Sequence, residues 1–295
     1  MMPTMFAPPP MPAFPSAQTS CAQALLRYED AAQDGRILAL GVIPAIGWAV
    51  WKPLLSDEGA QTAATKQGLI PILSRLVVTA TEHAFRIDHP VTARGGYQLA
   101  RDTRPETAKL YLNMWAELSG RAGRLFPPTP AGDEVVVGRV FAEHTWTRPF
   151  APPDQRRVTE LNLPGYTDVP IADYPSQSPH SAGQAPADAA VTAEALDDAL
   201  PSVLGLDHTD QNQHVNSLVY PRLFIDAALR RRVGAGLSPR VLVRSLEIAF
   251  RKPSFAGDQV VVNVGLFSLG GRDGAFGSIR GVGESAPRCL VRLGF

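Results

Sequence analysis

Residues 210–216 read Asp-Gln-Asn-Gln-His-Val-Asn. A carboxylate (Asp210), two amides (Asn212, Asn216) and an imidazole (His214) alternate along this short stretch. Apolar Leu204 and Leu206 precede it, and a helix-like run, 217–233, follows. Polar side chains at a helix entry meet backbone N–H groups that lack intrahelical partners and favour negative charge. An aspartate, an imidazole and such donors are the parts needed to attack an acyl carbonyl and stabilise the resulting oxyanion. An Asn/Asp-rich turn capping the helix would use the same residue types, but a cap needs one of them and four are present.

Asp-x-Asn-x-His-Val-Asn followed by a tyrosine, here Asp210, Asn212, His214, Val215, Asn216 and Tyr220, resembles the core motif of acyl-ACP thioesterases and related hotdog-fold thioesterases, the 4-hydroxybenzoyl-CoA type included. The match spans about fifteen residues and is loose over the rest of the C-terminal half. The resemblance implies a cytoplasmic hydrolase acting on an acyl-CoA or acyl-carrier-protein thioester, without a cofactor. Asp210 would be the nucleophile or the general base for a water. Asn212 would hold Asp210 or the water, and His214 would orient the acid or polarise the carbonyl. Backbone N–H groups of Val215, Asn216 and Ser217 would form the oxyanion site, with Tyr220 beside the substrate.

The motif departs from that family in one respect. Acyl-ACP thioesterases carry a further Glu or Cys after an aromatic-Arg-Arg-like step in the next strand. The matching stretch here is Phe250-Arg251-Lys252-Pro253-Ser254, which offers no acid. Glu247 is three residues off, and strand alternation aims it to one face or the other. A single-carboxylate mechanism fits better. Two alternatives stay open. One is a hotdog hydratase or dehydratase acting on an enoyl or hydroxyacyl thioester, whose usual spacing puts the His five residues after the Asp with a Pro between. Here the interval is four and Gln213 stands in place of the Pro. The other is a non-hydrolytic acyl-binding or acyltransfer protein.

The elements that must position these residues read as a duplication. In the first half, apolar Val42, Ile43, Ile46, Val50 and Leu54 recur at helical spacing over 40–55, with Pro44 in the first turn and Pro53 ending the run. Trp48 and Trp51 flank that stripe as packing residues. Strand-like stretches follow at 72–87, 91–100, 109–119 and 135–148. The second half repeats the pattern: helix 217–233, then strands over 240–251, 259–269, 275–284 and 288–295. At the helix entry, 31–37 aligns with 209–215, so Asp210 faces Ala32 and His214 faces Arg36. In the next strand, 83–86 aligns with 248–251. Periodicity supports an α+β duplication. The resemblance turns this into a double hotdog: two helix-wrapped antiparallel sheets joined as a pseudo-dimer, with one live site in the C-terminal half and the opposite wall of an acyl pocket supplied by the N-terminal half. The expected divisions are an extended or disordered tail over 1–20, an N-terminal unit over 21–150, a Pro-rich connection over 151–190 and a C-terminal unit over 191–295.

The remaining groups read as structural. Arg230, Arg231 and Arg232 complement a helix C-terminus, with a phosphate contact as the alternative. The segment 270–274, Gly-Gly-Arg-Asp-Gly, reads as a hairpin turn. His83 and His144 fall in strand patterns. No His/Cys/Asp/Glu spacing suggests a metal, and Cys21 and Cys289 read as reduced thiols. Among 295 residues, 28 basic balance 28 acidic side chains, which gives no electrostatic case for nucleic acid or a membrane surface. No apolar run approaches the roughly 20 residues of a membrane helix. The expected assembly is a monomeric pseudo-dimer or a homodimer.

Overall fold

The structure, a computed structural model, describes residues 5–55, 57–104, 108–166 and 169–295. The chain forms two compact units. One is Pro8–Gln177; the other is Ser178–Phe295 together with Met1–Ala7.

In the first unit, β1 (Thr19–Ala24) leads into the helical run α1 (Ala39–Leu55) and a second helix, α2 (Glu58–Lys66). Strands β2 (Ile70–Ala80), β3 (Val91–Asp102), β4 (Lys109–Arg121) and β5 (Glu134–Thr147) follow. They form an antiparallel sheet in the order β1-β3-β4-β5-β2, and β6 (Ile171–Asp173) runs parallel to β3 beyond the end of β1. The apolar stripe of α1 packs on this sheet because two glycines admit it. A Cβ at Gly138 on β5 would lie 2.4 Å from Val42, and one at Gly95 on β3 would lie 2.9 Å from Val50. Val42, Ala45, Ala49 and Val50 are buried there, and each large side chain so covered contributes about 1.5–3 kcal/mol. Pro53 sits inside the last helical turn of α1, and Trp51 packs edge-on against His144, ring centroids 5.0 Å apart.

The second unit repeats this plan. It contains β7 (Ala190–Asp197), β8 (Ser202–Val203), α3 (Val219–Gly234), β9 (Ser245–Phe250), β10 (Gln259–Leu269), β11 (Arg272–Gly281) and β12 (Pro287–Gly294). Its sheet order, β7-β10-β11-β12-β9, corresponds strand for strand to that of the first unit. Tyr220, Phe224, Ala227 and Ala228 form the buried face of α3. Gly270 and Gly271, both with positive φ, make the two-residue turn between β10 and β11, the geometry that the right-handed twist of a hairpin favours.

Several expectations change. The strands ahead of each helix, β1 and β7, were not expected; both are alanine-rich and polar, and their state is set by pairing with β3 and β10 rather than by propensity. The tail is extended, as its prolines dictate, yet it is packed: Trp115 donates its indole N–H to the Pro9 carbonyl at 3.1 Å, and Phe14 packs on the Trp115 ring. Part of the Pro-rich connection is likewise fastened to its unit. Tyr174 donates to the buried Glu143 at 2.7 Å, Ser176 to the buried Asp102 at 2.5 Å, and Arg75 to Gln177 at 3.0 Å. The match of 83–86 to 248–251 fails, because β2 ends at Ala80 whereas Ile248–Phe250 lie within β9; exposed His83 is therefore on a loop. The three arginines at the end of α3 each hold a partner. Arg230 pairs with Asp198, Arg231 donates to the Glu194 carbonyl, and buried Arg232 pairs with Asp273 and lies over the Phe295 ring.

Candidate active site

The motif folds as a small two-stranded clasp between a 3₁₀ turn (Leu206–His208) and α3. Thr209 and Val215 form an antiparallel bridge, Asp210 N–H donates to the His214 carbonyl (3.2 Å), and Asn216 N–H donates to the His208 carbonyl (2.8 Å). Side chains alternate across such a ladder, and paired residues share a face. Thr209 and Val215 therefore point one way, with Val215 buried. Asp210 and Asn216 take the other face. The Asn216 amide donates to Asp210 Oδ2 at 3.3 Å, which confirms the shared face for that pair.

The clasp closes through a tight turn. Gln213 N–H donates to the Asp210 carbonyl at 2.9 Å, and Asn212 N–H donates to Asp210 Oδ1 at 2.9 Å. Gln213 has φ of 63°, the left-handed region, which costs a residue with a Cβ about 1–2 kcal/mol. A proline ring holds φ near −65°, so the Pro of the hydratase spacing has no place here.

The N-terminal unit holds the same clasp without the chemistry. Ala31 bridges Ile37, and Gly35 has φ of 80° where Gln213 has 63°. Leu38 N–H donates to the Asp30 carbonyl as Asn216 N–H does to that of His208. The helix-entry alignment is thus correct residue for residue. Arg36, facing His214, is tied by Asp34 and Glu82. The Arg36 hydrogen bond holds the Asp34 carboxyl below its usual range.

Asp210 is half-buried, and each of its oxygens receives one donor. An ionised carboxylate has about four acceptor positions, so it retains room for a water or a substrate group. His214 is half-buried, and its imidazole makes no hydrogen bond among the described residues. The Asn212 side chain is exposed; it is the backbone of Asn212 and the side chain of Asn216 that grip Asp210. Asn216 Oδ1 also accepts Leu218 N–H at 2.9 Å, an Asx turn that leads into α3.

The expected oxyanion donors are corrected. Val215 N–H donates to the Ser254 carbonyl at 2.8 Å, and Asn216 N–H is the one bonded to His208. Ser217 N–H makes no hydrogen bond among the described residues. Tyr220 does not face a substrate either. It is 3% exposed and its hydroxyl accepts Ser254 N–H at 3.0 Å; burial raises its phenol pKa.

The position of the family's second acid is occupied by this fastening. Ser254 is fully buried and joins the clasp to α3 through its backbone. Glu247 is on β9 opposite Arg292, which holds its carboxylate at 2.5 Å. Phe250, on the alternate face of β9, packs against Tyr220 of α3, with ring centroids 5.9 Å apart. Glu247 therefore points away from the helix.

No family model and no curated protein matches the chain. Solved structures do. One described as an oleoyl thioesterase from Lactobacillus plantarum superposes with a TM-score of 0.64 at 12% identity, over 95% of this chain and 96% of that one. An acyl-ACP thioesterase from Bacteroides thetaiotaomicron gives 0.58 at 14% identity, over 94% and 97%. The 12:0-ACP thioesterase from Umbellularia californica gives 0.53 at 11%, over 95% and 98%. Identities this low carry the fold, over nearly the full length of both chains. The chain thus has the α+β double hotdog fold of these solved structures.

Proposed function

We propose that this protein hydrolyses acyl thioesters of CoA or of a carrier protein, at one site in its C-terminal unit. The reading is supported by Asp210 at the entry to α3, gripped on both oxygens, with His214 paired opposite it in the clasp. A carboxylate held in that way is oriented by its donors and keeps free acceptor positions for a water, so Asp210 serves as the base. Asp210 takes a proton from a water, whose oxygen bonds to the thioester carbon. The tetrahedral oxyanion meets the Ser217 N–H and the positive end of α3. The C–S bond then breaks, its electron pair leaves on sulfur, and the proton on Asp210 goes to the thiolate. His214 orients the water or polarises the carbonyl.

The N-terminal clasp carries Ala32 and Arg36 at the matching places, and an arginine does not act as a base near neutral pH. The test is a panel of acyl-CoA and acyl-carrier-protein substrates assayed for free thiol, with absorbance followed for enoyl formation. Thiol release in wild type and its loss in Asp210→Ala are expected. Enoyl formation without thiol release would overturn the reading.

A further inference from the structure

We propose that the N-terminal unit holds a second binding site, which takes a small organic ammonium ion in a cavity bounded by the end of α1, β3 and residues 165–166. The inference goes beyond the thioesterase reading and does not depend on it.

The cavity encloses about 280 Å³, near the lower end for small-molecule sites. Three of its polar groups come from separate parts of the chain. Asp57 caps α2, Tyr97 stands on β3, and Tyr166 follows Gly165 in the Pro-rich connection. The Tyr97 and Tyr166 rings lie 6.2 Å apart, tilted by 49°. Gly165 brings the connection against the carboxylate: its φ is 76°, and a Cβ there would lie 2.9 Å from Asp57 Oδ2. Pro53 and Leu54, at the end of α1, add an apolar wall.

The charge of this lining selects the ligand. Asp57 Oδ1 accepts Ala60 N–H at 3.0 Å. Asp57 Oδ2 and the two phenol hydroxyls have no hydrogen-bond partner among the described residues. No Lys, Arg or His lines the cavity among those residues. Gln18 lines it too, but the amide nitrogen of this buried side chain is enclosed. Burial raises both phenol pKa values; Asp57 adds to the effect on Tyr97, and Tyr97 and Asp57 add to it on Tyr166. Both phenols therefore stay protonated near neutral pH and keep lone pairs that accept.

One carboxylate and two neutral phenols suit an R–NH₃⁺ group, which has three N–H donors and is attracted to tyrosine rings. They make a poor set for a divalent metal, which takes six or more oxygen ligands with several charges among them. The apolar wall receives the hydrocarbon part of the ligand, which points to an alkylammonium rather than to a bare ion.

The test is isothermal titration calorimetry on full-length protein at pH 7, with n-hexylammonium as the probe and 1-hexanol and hexanoate as controls. Hexylammonium is expected to bind once per chain, at least about tenfold more tightly than hexanol, the ordinary gain from charge-assisted hydrogen bonds. Asp57→Asn keeps the acceptor for Ala60 N–H, so its melting temperature should stay near that of wild type while hexylammonium affinity falls to the level of hexanol. Tyr166→Phe keeps the ring and removes one acceptor; it should weaken hexylammonium binding about threefold or more. Absence of saturable hexylammonium binding would overturn the proposal. So would equal affinity for hexylammonium and hexanol, tighter binding of hexanoate, or undiminished hexylammonium affinity in either variant.

Discussion

Val215 N–H donates to the carbonyl of Ser254 at 2.8 Å, so the motif hangs from the chain that follows β9. Ser254 N–H in turn donates to Tyr220 on α3. The clasp, the strand end and the helix are fastened at one fully buried residue.

Asp210→Ala is expected to lower thioester turnover at least about a hundredfold, the ordinary contribution of a positioned base. Asp210→Asn should fall as far, because it keeps an acceptor for Asn212 N–H but cannot take a proton. Thiol release under saturating substrate measures both. Wild-type turnover in either would remove Asp210 from the mechanism.

The two amides of the motif should behave differently. Asn216→Ala removes the donor on Asp210 Oδ2 and the acceptor of Leu218 N–H at the entry to α3; a large drop in kcat and a stability loss of about 1 kcal/mol are expected. Asn212→Ala keeps the backbone N–H that holds Oδ1, so its effect should be small. Asp34→Ala, in the other unit, should leave turnover near wild type, whereas His214→Ala should reduce it strongly. Equal losses from Asp34 and His214 would contradict a single site.

Gln213→Gly should fold and keep its activity, since glycine adopts positive φ freely. Gln213→Pro should lose the clasp. Proline excludes φ of 63° and removes the N–H that bonds the Asp210 carbonyl. Circular dichroism melts alongside turnover distinguish the two; a well-folded, active Gln213→Pro would show that the turn is dispensable.

Tyr220→Phe keeps the ring contact with Phe250 and leaves Ser254 N–H buried without its acceptor. The cost of such a group is about 1–3 kcal/mol. Chemical denaturation should report that loss; no change would mean that the fastening contributes nothing.

Stability should also fall with acid because of His144. It is 4% exposed, and burial lowers its pKa from 6.5 to about 4. Below pH 6.5 the unfolded chain takes up a proton that the folded one refuses, so stability declines as pH falls to about 4 and this contribution is then constant. The shift corresponds to roughly 3 kcal/mol. Denaturation of wild type and His144→Leu at pH 7 and pH 4.5 tests it; parallel pH dependence in the two would refute the assignment.

The sequence by itself determined the duplication and the location of the motif. Apolar residues at helical spacing marked α1, and β-branched and aromatic runs between glycine-rich turns marked the strands. The pairing of 31–37 with 209–215 held because the clasp is a local structure, closed by hydrogen bonds within seven residues. Tertiary structure decided what local signals do not encode. β1 and β7 exist because β3 and β10 offer them an edge. The amides of Val215 and Asn216 looked available at a helix entry, but Ser254, thirty-nine residues beyond Val215 in the chain, and the His208 carbonyl consume them. Glu247 was three residues from a catalytic register; strand alternation turned it toward Arg292. Which donors a site retains depends on every partner that the fold brings near, and those partners come from distant parts of the chain.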